Sequence, residues 1–156
     1  MKHIILYLSI IFMTGLFFVN TYNSVVDAPN WCQDITHSIE NTRNYFKVAN
    51  PGTFFRICSP INQVLAIAVL ILFWRRPEKV RLYFGLALLL ALLTDAFTFG
   101  YFYPRNDILF TSEITQNIPE LTSACKEWQS MNWVRSFMVL VAVVFQFLGL
   151  HKLKKN

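Results

Sequence analysis

Charge is what this sequence has least of for its size. Asp, Glu, Lys and Arg make up 15% of its 156 residues, against about 25% in an ordinary soluble domain. A water-facing surface needs more than that, and the mean hydropathy of +0.40 agrees. Glycine occurs only five times, and there is no low-complexity stretch or convincing internal repeat, so collagen-like and disordered classes fall away. Histidine is scarce too. His3, His37 and His151 all lie outside the long apolar runs, which excludes a membrane haem held by two intramembrane histidines and leaves no clustered set of metal ligands. The three cysteines contain no C-x-x-C pair, which disfavours a thiol–disulfide exchange enzyme of the usual kind. A net charge of +5 points to a nucleic-acid partner only if topology does not explain it, and topology does.

What the chain has in abundance is apolar length: 54% hydrophobic residues, fifteen of them Phe. A bilayer core about 30 Å thick takes about 20 apolar residues of helix to cross. Four runs qualify, at residues 4–20, 54–74, 82–103 and 131–150. Each is apolar around most of its circumference, as lipid contact requires. Residues 17–22 are bulky where a signal peptidase needs small ones, so the first run is read as a retained helix. The expected fold is all-α, a transmembrane four-helix bundle forming one domain over residues 1–156.

Lys and Arg set the expected orientation. Four of them fall between the second and third runs, at Arg75, Arg76, Lys79 and Arg81; Lys2 begins the chain, and Lys152, Lys154 and Lys155 end it. All lie on one side of a four-span chain, so both termini are expected in the cytoplasm, with connections 21–53 and 104–130 outside. Those connections carry helical extensions. Pro119 and Glu120 start one long helix that continues through the fourth span. Residues 34–48 have helical character, Asn50-Pro51-Gly52 reads as a turn, and Ser59-Pro60 reads as an N-cap and first-turn proline for the deeper part of helix two. Cys32, Cys58 and Cys125 all map to the outer side, where two of the three can pair; spacing does not say which.

Ionisable groups inside a span cost about 3 kcal/mol on insertion scales and face the bundle interior. Asp95 lies roughly 12 Å and Arg135 roughly 6 Å below the outer boundary, within reach of each other. Arg56 is shallow enough to snorkel and reads as an anchor. Asn62 and Gln63 enter at a depth similar to that of Asp95. On helix four, Trp128, Asn132, Arg135, Val139, Ala142 and Gln146 share one face; on helix three, Asp95, Phe99, Phe102 and Asn106 do. Together they suggest a polar pocket opening outward between helices two, three and four, capped by residues 102–107 and Trp128. A purely structural reading stands beside it: Asp and Arg neutralising each other, with Asn and Gln as interhelical glue. An ion path is the third.

At these residues the chain resembles a known group. Phe102-Tyr103-Pro104-Arg105-Asn106-Asp107-Ile108-Leu109, followed by Trp128-x-x-x-Asn132-x-x-Arg135, is similar to the anthrone oxygenase-like family of four-helix membrane proteins. Asn132 stands where that family frequently has a histidine. The resemblance implies an integral membrane protein, in a few members of the family an oxygenase that converts anthrones to anthraquinones without metal or flavin, so no cofactor is expected. That chemistry needs a base and a group to hold an enolate oxygen. Asp95 is the expected base and Arg135 the expected anion holder, with Asn62, Phe102, Tyr103, Arg105, Asn106, Trp128 and Asn132 as substrate contacts. The expected partners are the lipid bilayer, a small apolar ligand and a second copy of the chain. The competing expectation is a non-catalytic membrane protein that binds a lipid or quinone-like molecule, or an accessory subunit.

Overall fold

A long apolar run inside a membrane must satisfy every backbone group internally, and a helix does so within one segment. The computed structural model describes residues 1–114 and 117–155; Thr115 and Gln116 of the second long connection, and Asn156, lie outside it. The described chain is mostly helical: α1 (Lys2–Tyr22), α2 (Ala28–Cys32), α3 (Ile35–Tyr45), α4 (Pro51–Leu72), α5 (Glu78–Phe97), α6 (Tyr103–Thr111) and α7 (Ile118–Lys154). Four continuous helical stretches are long and apolar enough to cross a membrane: Lys2–Cys32, Pro51–Leu72, Glu78–Thr111 and Ile118–Lys154. The long fourth helix begins where Pro119 and Glu120 announce it and runs for 37 residues.

Helices α1, α4, α5 and α7 pack in a ring in chain order, α7 closing on α1. Three apolar layers fill it. Leu6, Phe73, Val80, Phe84 and Leu153 gather at the end that carries both termini. Met13, Leu16, Ala91, Val139 and Ala142 fill the middle. Trp31, Ile39, Phe102, Leu121 and Trp128 form the core of a helical cap at the other end.

Two wide π-type turns, Asn23–Asp27 and Thr98–Phe102, carry α1 into α2 and α5 into α6. They have a common cause. Pro29 and Pro104 have no N–H to give, and each ring would collide with the carbonyl four residues back. The turn before each opens to an i→i−5 bond, Ala28 N–H to Asn23 and Tyr103 N–H to Thr98, and the helix continues.

Two local expectations are corrected. Asn50-Pro51-Gly52 is not a free turn but the start of α4. The Thr53 N–H donates to Asn50 Oδ1 at 3.1 Å and the Asn50 N–H donates to Thr53 Oγ1 at 3.3 Å, a reciprocal cap. Ser59-Pro60 starts nothing: Pro60 lies inside α4, and the Ser59 hydroxyl is drawn to Asp95 at 2.7 Å.

The cap is tied by specific bonds. Cys32 and Cys125 form a disulfide joining α2 to α7, leaving Cys58 as the free thiol. Arg43 of α3 donates through Nε and Nη2 to the Leu109 carbonyl, at 3.1 and 2.7 Å, and through Nη1 to the Ser112 carbonyl at 2.8 Å. It thereby closes the C-terminal end of α6, where a cation complements the helix dipole. Partial burial holds its guanidinium somewhat below the ordinary arginine value.

Candidate functional site

The face of α7 marked by three- and four-residue steps is the buried one. Trp128, Asn132, Arg135, Val139, Ala142 and Gln146 are each at most 6% exposed. Arg135 is the unusual member. Its guanidinium carbon lies 4.1 Å from the centre of the Phe102 ring, 5.4 Å from that of Phe55 and 5.7 Å from that of Trp128. A desolvated cation against aromatic faces gains about 2 kcal/mol from such contact. Its Nη2 donates to Asn132 Oδ1, and its Nε–H has no partner.

Asn132 holds this group to α1. Its Nδ2 donates to the Asn20 carbonyl at 3.0 Å and to Ser24 Oγ at 2.6 Å. Asn20 and Ser24 lie four residues apart at the foot of the first wide turn, so α1 meets α7 there through polar groups. Above Arg135 sits an aromatic roof. Trp128 packs edge-on to Phe102 at 5.5 Å and to Trp31 at 5.0 Å, and its indole N–H donates to Asn106 Oδ1 at 2.9 Å.

Asp95 does not form an ion pair with Arg135. Among the described residues the ion pair is Arg105–Glu127, between α6 and α7. Asp95 instead accepts from the Ser59 hydroxyl at 2.7 and 2.8 Å, and from Gln63 Nε2 at 2.8 Å. Ser59 and Gln63 are four apart on α4, so both face one turn of α5 and reach the carboxylate first.

Beside Asp95 lies a small cavity of about 20 Å³ lined by residues of α1, α4, α5 and α7, among them Asn62, Gln63, Asp95, Val139 and Ala142. Asn62 Oδ1 and Gln63 Oε1 are buried there without partners. That volume suits a single water molecule, which would donate to such oxygens. Phe102 and Trp128, expected to cap the pocket, are buried at 0% and 5% exposure and stand over Arg135 rather than over this cavity.

The remaining expected contacts are dispersed. Tyr103 is exposed and pairs edge-on with Phe99 at 4.9 Å. Arg105 stacks 3.4 Å above the Tyr101 ring and pairs with Glu127. Phe99, expected on the Asp95 face, is 60% exposed, whereas Phe102 of the same expected face is fully buried. Asn20, Ser24, Phe55 and Ser59 also belong to the site, although the sequence pattern alone does not single them out for it. The four-residue spacing of Ser59 to Gln63 and of Asn20 to Ser24 is the available signal.

The architecture defines a four-helix bundle of membrane-spanning type, with a buried guanidinium and a separate carboxylate in the half away from the termini. The chain belongs to the anthrone oxygenase family, whose model matches residues 53–145, more than half of it. That stretch contains Asp95, Phe102, Asn132 and Arg135 and leaves out α1. No curated protein and no solved structure matches the chain.

Proposed function

We propose that this protein is a membrane-embedded oxygenase that converts an apolar aromatic substrate of the anthrone type to the corresponding quinone without a bound cofactor. The observation that carries the reading is Arg135, a buried cation with no carboxylate on it, an unused Nε–H and aromatic rings about it. A planar oxyanion supplies what that group lacks: a charge, an acceptor and a flat apolar body.

In the reaction a base takes one proton from the substrate methylene, and the ketone oxygen becomes an enolate held by Arg135. The carbanion carbon passes its electrons to dioxygen and a C–O bond forms. The peroxide takes back the proton; its O–O bond then breaks as the second C–H proton leaves, giving the new carbonyl and one water. Asp95 is the base in this scheme, held by Ser59 and Gln63. Asn106 acts only through Trp128, as a positioning residue.

The protein lies in the bilayer with both termini in the cytoplasm. Eight of its fourteen Lys and Arg residues, with Glu78 as the one carboxylate among them, lie at the terminal end, the asymmetry that fixes orientation. A structural or accessory role is the second reading, favoured by the bonds that already occupy Asp95. Oxygen uptake and quinone absorbance, followed with the detergent-purified protein and anthrone, separate the two. The oxygenase reading expects stoichiometric uptake that Arg135→Ala and Asp95→Asn abolish. Uptake absent from the wild type, or unchanged in both variants, sinks it.

A further inference from the structure

Arg135 is only 6% exposed and the cavity beside Asp95 holds about 20 Å³, so a three-ring aromatic reaches these groups only if the bundle opens. Its walls are unequally tied. Helices α2, α3 and α6 pack on α7, and the disulfide, the Arg43 bonds and the Arg105–Glu127 pair fasten them there or to one another. Helix α4 is different. Its extended packing is with α1 and α5 alone. No side chain in residues 51–59 is fully buried, whereas Asn62, Ala66 and Val69 further along are.

Phe55 and Cys58 of that arm pack only partly buried on the middle layer, and two specific contacts hold it against the site. Ser59 bonds Asp95 at 2.7 and 2.8 Å, and the Phe55 ring stands 5.4 Å from the Arg135 guanidinium. Immediately beyond them is Pro60, inside the helix. It offers no N–H to the Arg56 carbonyl and crowds it, the usual cause of a helix kink. Below this break Gln63 keeps its own bond to Asp95 at 2.8 Å, so the lower part of α4 remains anchored. Above it, residues 46–50 are non-helical and give slack.

We infer that residues 51–59 are a gate hinged at Pro60, and that a membrane-dissolved planar aromatic reaches Arg135 by passing beneath it from the lipid. The ligand rests on the substrate reading above; the hinge does not. Opening breaks the Ser59–Asp95 bonds and lifts Phe55 from Arg135, uncovering the unused Nε–H on the side away from the disulfide-tied cap.

Cys58, on the arm itself and the one free thiol, reports the motion. The full chain is solubilised in detergent with its disulfide intact, treated with N-ethylmaleimide at fixed pH, and followed by mass. Pro60→Ala, which restores a backbone bond at the hinge, should slow labelling by about fivefold. Ser59→Ala, which removes the latch, should speed it by about fivefold, the population change expected for one hydrogen bond. A general loosening of the bundle would speed both, so the opposite signs identify a hinge. Equal rates in the three proteins, or acceleration in both variants, overturn the gate while leaving the oxygenase reading to its own assay. Labelling needs no turnover, so a wild type without oxygen uptake does not decide it.

Discussion

The two ends of the bundle are held together by different physics. At the terminal end the helices fit by shape: Phe73 packs against Phe84 at 5.6 Å, and Gly149 of α7 lets Phe84 lie where a side chain would otherwise be, since a Cβ there would collide with the Phe84 ring. The Gln146–Ser9 bond, at 2.8 Å, adds a polar contact between α7 and α1. At the outer end the helices are held by individual bonds: a disulfide, an arginine clamp, an ion pair and the Asn132 junction to α1. In lipid there is no hydrophobic drive to bring helices together, so both close packing and polar contacts serve. Under the proposed function, the difference marks where the site sits. Polar groups that could have been placed anywhere as glue are concentrated around Arg135 and Asp95, at the end that is latched rather than interlocked.

Four variants break or sharpen this contrast. The largest effect belongs to Arg135→Ala, which should lower the rate of anthrone oxidation by about 100-fold or more, as loss of an oxyanion donor does; native mass spectrometry should show loss of any bound ligand as well. Cys32→Ser comes next. It opens a link across 93 residues and should cost about 4 kcal/mol, read as a lower Tm, with loosening confined to the cap in hydrogen exchange. Gly149→Ala forces Phe84 aside and should cost about 1–3 kcal/mol, read in the same thermal scan, with oxygen uptake per folded molecule unchanged. The smallest is Gln146→Leu, which removes a single interhelical bond and should cost about 0.6 kcal/mol. If Gly149→Ala changed turnover more than stability, the division between a shape-held and a bond-held end would fail.

Much of the fold and part of the site are legible in the residues. The α7 face needs only period counting, since every position on it carries its polar or small side chain in register with the next. The start of the long α7 is visible in Pro119 and Glu120. The widened turn at Thr98–Phe102 is not visible in the apolar pattern, because its cause, Pro104, lies beyond it. Ser59 imitates a cap because Ser-Pro is a common way to begin a helix; its partner Asp95 is 36 residues away, beyond any local pattern. Asn132 can be recognised as buried, yet its bond to the Asn20 carbonyl spans 112 residues and depends on which helices are neighbours. The pairing of Cys32 with Cys125 is hidden for the same reason.

That disulfide also imposes an order on biosynthesis. Translation runs from Cys32 through Cys58 to Cys125, so the first cysteine to follow Cys32 out of the ribosome is the wrong one. The correct partner arrives only with α7, after α4 and α5 have been made. Cys58, half-buried on α4 beside Ser59, leaves competition as the helix docks on α1 and α5. The finished bond is therefore a chemical record that the last helix has reached its place.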